Sequence, residues 1–283
     1  MEIWFVYALL SGLFAGLYSF FLKVSAEKNH NSSLVTTYSM FVCSAMGLFF
    51  FLFNTTNLNL LLLLFVVSFA NAFLYFIAIV TRIESLKNID TTIYFPISKT
   101  IGPVLMVFIG ILFFSEKLIF FEFVGIMIGV VVPLLLIHKK ENSNQKNMKK
   151  GLILLGIGIV FGVLSSSMSK VIVVNNLNIL LFLFVSFFFG GLFSLFNYRR
   201  SKKKKVNRSD NIKLIGILNG VILFFSAYFF TNSTIGNLGV VYTINSFSIL
   251  VPIILSIIIY KENFNTRKGL AIALTIVSLY FLQ

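Results

Sequence analysis

The sequence predicts an all-α integral membrane protein of ten transmembrane helices, built as two inverted five-helix repeats. Three observations lead there. The 283 residues are 58% hydrophobic and only 11% charged, with a mean hydropathy of +0.96, a balance foreign to soluble domains of this length. The apolar residues fall into ten runs separated by short polar breaks. The second half of the chain also echoes the first at a nearly constant offset.

A helix needs roughly 20 apolar residues to cross the hydrocarbon core. Runs near that length cover 3–26, 34–53, 59–80, 90–114, 118–138, 151–173, 179–198, 211–232, 238–260 and 266–282. Almost nothing remains for a separate soluble domain. The first run is not expected to be a cleaved signal. No basic n-region precedes it, since the chain starts Met1-Glu2, and it outlasts the usual h-region of roughly 7–15 residues. Trp4 is expected at the membrane interface as an aromatic anchor. The single cysteine, Cys43, lies in the second run without a disulfide partner or companion metal ligands, so it is read as a packing residue. No metal and no cofactor is expected.

The net charge of +14 is distributed by face. With the loops assigned alternately to two sides, one side collects Lys28, Arg82, Lys87, Lys139, Lys140, Lys146, Lys149, Lys150, the run "RRSKKKKVNR" (199–208), Lys213, Lys261, Arg267 and Lys268. The other side holds Lys117 alone. This is the positive-inside asymmetry, so the basic loops are expected in the cytoplasm and both termini outside. The run "RRSKKKK" can also sit near anionic lipid head groups, at about 1 kcal/mol per basic residue. It lacks aromatic stacking partners, and nucleic acid is not an expected partner. Lys23, Lys99 and Lys170 lie within or at the ends of runs.

The repeat is legible residue by residue. "SGLFAGLYSFFLK" (11–23) resembles "GIGIVFGVLSSSMSK" (156–170), with Gly12 and Gly16 falling 146 positions before Gly158 and Gly162. "FFSEK" (113–117) resembles "IYKEN" (259–263), and Glu116 precedes Glu262 by the same 146 positions. "ISKTIGPVLMV" matches "NSFSILVPIIL", with Pro103 opposite Pro252 after a short shift. The predicted organisation is a first repeat over 1–138, a basic cytoplasmic linker over 139–150 and a second repeat over 151–283. Five helices per copy is an odd number, so the copies enter the membrane from opposite sides. Inverted repeats are the architecture of many secondary transporters.

An apolar helix with a proline, about a dozen residues, a glutamate, a loop and a glycine-bearing last helix resembles the EamA-type drug/metabolite transporter superfamily. "PVLMVFIGILFFSEKLIFFEFVG" (103–125) carries that pattern. "PIILSIIIYKENFNTRKGLA" (252–271) carries a shorter version, with Ala271 where glycine is usual. The resemblance implies a ten-helix carrier of small metabolites, often an exporter. It names no substrate, because the superfamily spans amino acids, sugars, nucleotide sugars, organic phosphates and drugs.

Candidate site residues come from polar groups inside the spans. Lys99 lies about 13 Å deep, counted from Asp90 at ~1.5 Å per residue. A lysine there costs roughly 2.5–3.5 kcal/mol, which favours a bundle interior or a wet cavity; snorkelling is the alternative. Pro96 and Pro103 remove backbone donors and are expected to kink the helix, and the freed carbonyls need partners. Tyr94 and Ser98 are grouped with Lys99. The inverted mate, "YTINSFSILVP" (242–252), offers Tyr242, Asn245 and Ser248, with Ser248 opposite Lys99 and Pro252 as its kink. Asn71 and Tyr75 share a helix face, and Asn219, Tyr228 and Ser165 to Ser167 are further candidates. Each could instead be interhelical glue. Gly12, Gly16, Gly158 and Gly162 read as close helix contacts. Lys23 and Lys170 either snorkel or neutralise substrate charge at the mouths.

None of the nine acidic residues falls in the middle of a span. A proton-coupled exporter of cations generally needs such a carboxylate. The expected function is therefore a secondary transporter, exporter or exchanger, moving a small anionic or zwitterionic metabolite across the plasma membrane by alternating access. A flippase for a lipid-linked sugar and an exporter of amphipathic drugs are the alternatives. An enzyme is not expected, because Ser165, Ser166 and Ser167 have no His or Asp within the spans to activate them. The partners implied are a small-molecule substrate and membrane lipids, with the chain a monomer or homodimer.

Overall fold

The computed structural model describes residues 2–53, 60–136, 147–201, 211–251, 254 and 266–283. Pro252, Glu262, Lys261 and most of both long basic loops lie outside the described residues. Those described form ten α-helices: α1 (Ile3–Glu27), α2 (Ser32–Leu52), α3 (Leu61–Leu86), α4 (Thr91–Phe114), α5 (Phe120–Leu135), α6 (Met148–Val174), α7 (Ile179–Ser201), α8 (Asn211–Ser233), α9 (Leu238–Ser246) and α10 (Thr266–Leu282). A 3₁₀ turn, Phe247–Ile249, continues α9. Seven helices (α1 to α4 and α6 to α8) are long and apolar enough to cross a membrane, while α5, α9 with its turn, and α10 are apolar but shorter. Large apolar side chains stand on the outside of the bundle, among them Leu62 at 81% exposed and Phe113 at 78%. Such a surface is stable against lipid, where only helices satisfy every backbone group internally.

The helices pair between halves more than within them. α2 lies on α7, α4 on α9 and α5 on α10, each helix against its own counterpart. The other large contacts exchange under the same relation: α1 on α8 corresponds to α6 on α3, α2 on α8 to α7 on α3, and α1 on α9 to α6 on α4. The self-paired helices run antiparallel. The Ser194 hydroxyl donates to the Ser33 carbonyl at 2.7 Å, and Ser44 donates to the Phe184 carbonyl at 3.0 Å. Ser278 donates to the Gly125 carbonyl at 2.7 Å while Phe121 stacks on Phe281. Gly102 faces Tyr242, and Gly239 faces Val107. Antiparallel counterparts make the two repeats inverted.

The repeat also shows in the turns. α1 ends at Asn29 with φ 50°, and α6 ends at Asn176 with φ 50°. Asparagine tolerates this left-handed conformation, which terminates a helix by turning its last carbonyls onto later amides. In the first turn His30 N–H bonds the Ser25 carbonyl; in the second Leu177 N–H bonds the Ile172 carbonyl. Each turn then hands over to an asparagine N-cap. Asn31 Oδ1 accepts from Leu34 N–H at 3.0 Å, and Asn178 Oδ1 from Leu181 N–H at 2.8 Å.

The glycine faces differ between halves. A Cβ on Gly16 would meet Ser248 O at 2.7 Å, so α1 is shut against the end of α9. The matching glycines of α6 do not meet α4, the counterpart of α9. Gly158 has Thr81 and Ala78 of α3 as its nearest neighbours, and Gly162 has only Ala78, 3.8 Å away.

Removing either N-cap side chain, Asn31→Ala or Asn178→Ala, is expected to cost about 1 kcal/mol. Thermal unfolding of the detergent-purified protein should show each as a fall of about 2–4 °C. Equal losses are expected because the two turns are built alike.

Candidate substrate-binding cavity

A cavity of about 180 Å³ lies between the halves, lined by α1, α3, α4, α6, α7, α8 and α9. Among the described residues two cations line it, Arg82 and Lys99, and no Asp, Glu or His does. Arg82 is a correction to the sequence reading, which left it among the topogenic loop charges. The apolar run ends at 80, but α3 continues to Leu86, because the helix needs only backbone bonds to go on. Asn71, Tyr75, Ala78 and Arg82 then recur at helical spacing and all four line the cavity.

Arg82 is held on several sides. Its Nη2 donates to Ser19 Oγ at 2.7 Å, and Ser19 in turn donates to the Ala15 carbonyl at 2.6 Å. The guanidinium lies over the rings of Tyr94 and Phe95, 5.9 and 5.6 Å from their centroids. Its Nε is buried without a partner. Lys99 makes no hydrogen bond or ion pair among the described residues. Pro103 lacks the N–H that the Lys99 carbonyl would otherwise accept one turn on. Both Pro96 and Pro103 sit inside α4, which stays helical around them.

Lys99, Ser98, Tyr94, Asn71, Tyr75, Tyr242 and Asn245 all line this cavity, with Ser165 and Ser166 beside them. Ser165 Oγ donates to Asn71 Oδ1 at 2.6 Å, joining α6 to α3. Asn245 Nδ2 donates to Ser11 Oγ at 2.7 Å, joining α9 to α1. Four candidates are elsewhere. Ser167 Oγ donates to the Leu164 carbonyl at 2.8 Å, within α6. Ser248 is buried in the 3₁₀ turn, and its hydroxyl lacks a partner. The α9 residue that lines the cavity in its stead is Asn245, the position that the unshifted offset of 146 reaches from Lys99. Asn219 is fully buried with both amide atoms unpartnered. Tyr228 stacks on Phe224. Pro252 lies outside the described residues.

The end of the bundle away from the basic loops is tied shut across the halves. Lys170 Nζ lies 2.9 Å from Glu116 Oε1, with side chains only 10% and 7% exposed. Lys170 therefore neither snorkels nor faces the cavity mouth as a free cation. It also donates to the Gly236 carbonyl at 2.9 Å. Glu116 Oε2 accepts from Leu238 N–H at 2.8 Å, capping the first turn of α9. Beside it, Asn237 Nδ2 donates to the Glu122 carboxylate at 2.9 and 3.0 Å. Among the described residues no group of His, Cys, Asp and Glu converges well enough to hold a metal.

Breaking a buried pair on one side leaves an uncompensated charge. Lys170→Met is expected to destabilise the protein by about 3 kcal/mol, and adding Glu116→Gln should restore part of that loss. A double-mutant cycle on thermal unfolding measures the coupling.

A model of the EamA-like transporter family matches residues 2–138 and, a second time, 148–283. The two matches begin at the same offset that separates Gly12 from Gly158. Among curated proteins none matches the chain. A solved structure, described only as a crystal structure of a protein, is similar in fold: TM-score 0.76 at 14% identity, over 97% of this chain and 95% of that one. Two copies of the family's unit span nearly the whole of this multi-pass membrane protein, which therefore belongs to the EamA-like transporter family, a group of membrane transporters in the drug/metabolite superfamily.

Proposed function

We propose that the chain is an alternating-access secondary carrier for a small anionic or zwitterionic metabolite. All ten helices cross the plasma membrane, with the basic loops in the cytoplasm and both termini outside. One observation carries the substrate charge: among the described residues the cavity presents Arg82 and Lys99 and no carboxylate. A cationic substrate would meet two like charges with nothing to offset them. The size argues in the same direction. About 180 Å³ is below the roughly 300–1,000 Å³ of drug-sized sites, so a metabolite fits better than an amphipathic drug or a lipid-linked sugar.

Alternating access is supported by the asymmetry of the glycine faces. Gly158 and Gly162 line the cavity, whereas Gly12 and Gly16 are shut against α9 and its turn. Two copies of one unit in two poses are what a carrier needs if its two end states exchange those poses. In this reading Glu116, Lys170 and the α8–α9 turn form the outer gate.

The substrate reading is tested by thermal shift of the purified protein with succinate, glutamate, methyl phosphate, a neutral sugar and putrescine. A ligand at a hundredfold excess over its Kd adds about 2.7 kcal/mol. An anion or amino acid is expected to raise the melting temperature, and Lys99→Ala or Arg82→Gln to remove the response. Stabilisation by putrescine alone overturns the reading.

The gate is tested by labelling. In a Cys43→Ala background, a cysteine at Thr231 is exposed to a membrane-impermeant maleimide from outside the cell. A charged hydrogen bond is worth about 1.5–3 kcal/mol, so Glu116→Gln is expected to speed labelling roughly tenfold or more. An unchanged rate removes Glu116 from the gate.

A further inference from the structure

The two cavity cations count charge as well as attract it. From this we infer that the substrate is a dianion, carrying a phosphate monoester or two carboxylates and no ammonium group. The inference rests on the anion-carrier reading and narrows it, setting aside zwitterions.

The argument is a charge balance. Facing the cavity are Tyr18 from α1, Tyr75 and Arg82 from α3, Tyr94 and Lys99 from α4, and Tyr242 from α9. Glu84, two residues from Arg82, is paired with Lys87, and at the end away from the basic loops Glu116 is paired with Lys170 and Glu122 accepts from Asn237. The cavity therefore presents two cationic side chains, and among the described residues neither has a carboxylate partner. A monoanion leaves one of them uncompensated. A zwitterion leaves both, and it adds an ammonium with no acidic acceptor. Only a dianion closes the balance, and buried charge is stable when paired.

The donors agree with the count. Of the five N–H groups of arginine, Arg82 engages one on Nη2 with a protein partner, and its Nε is buried and unsatisfied. Ser19, Tyr94 and Phe95 hold the guanidinium in place at the cavity wall, so an oxyanion reaching its remaining N–H groups binds with little further loss of side-chain freedom. Lys99 supplies a second, mobile point charge with all its donors free. One fixed fork and one mobile ammonium suit two charges on one head or two carboxylates a short chain apart.

The test uses matched pairs that differ by one charge: succinate against succinamate, and methyl phosphate against dimethyl phosphate, with glutamate as the zwitterionic control. Affinities are read by calorimetry on the purified full chain at a pH where both dianions are fully charged. In at least one pair the dianion is expected to bind tenfold or more tightly than its partner, and the responding pair says whether the head is phosphate or carboxylate. Lys99→Gln should bring that ratio near one by weakening the dianion alone. Lys99→Arg, which keeps the charge, should preserve it. Equal affinities within both pairs, or glutamate binding above succinate, overturn the dianion inference and leave the anion-carrier reading standing. Failure of every anion to bind overturns both.

Discussion

The two halves of this protein pack on each other more than on themselves, and much else follows from that. Helices α2, α4 and α5 each lie against their own counterparts, and most of the remaining large contacts also cross between halves. In lipid there is no hydrophobic gain from bringing two apolar helices together, so contact must come from close packing and hydrogen bonds. The chain supplies both at the seams. Serine hydroxyls reach across to backbone carbonyls between α2 and α7 and between α5 and α10. Glycines let α1 approach α9 and its turn closely. A cavity between halves is then a natural result, since the seam is where the polar groups already are.

The seam also explains how the protein tolerates two cations at depth. Arg82 is stabilised by Ser19 and two aromatic rings rather than by an acid, each cation–π contact adding about 0.5–2 kcal/mol. That leaves its charge available to a ligand. The opposite choice is made at the end away from the basic loops, where Lys170 is neutralised by Glu116. One lysine is spent on holding the halves and another is kept open, and the difference lies in whether a carboxylate is near.

Much of this was legible in the sequence, for physical reasons. Apolar runs of spanning length report helices because lipid leaves no other option, and the ten runs correspond to the ten described helices. The glycines and glutamates repeated at one offset, with five runs to each copy, report the inversion. Lys99, Tyr94, Ser98, Asn71, Tyr75, Tyr242 and Asn245 stood out as polar groups in apolar surroundings, and all of them line the cavity. Arg82 was hidden because hydropathy marks where apolar character ends, not where the helix ends. Its signal was the helical spacing from Asn71 and Tyr75. Ser248 was chosen by aligning prolines, but the 3₁₀ turn Phe247–Ile249 interrupts the helix there and takes up the shift. The Glu116–Lys170 pair joins residues far apart in the chain, and no local pattern announces it.

The carboxylate of Glu116 has two occupations. One oxygen holds Lys170, and the other caps the amide of Leu238. That amide is the first of α9, so the carboxylate sits at the positive end of the helix dipole. Tyr242 and Asn245, which line the cavity, lie one to two turns further along the same helix. Separating the halves at the outer end would thus do more than open a path. It would take away the clasp on the first turn of α9, and the floor under the substrate would loosen as the door moves. In the carrier reading proposed above, release and gate opening would then be one event, coupled through α9.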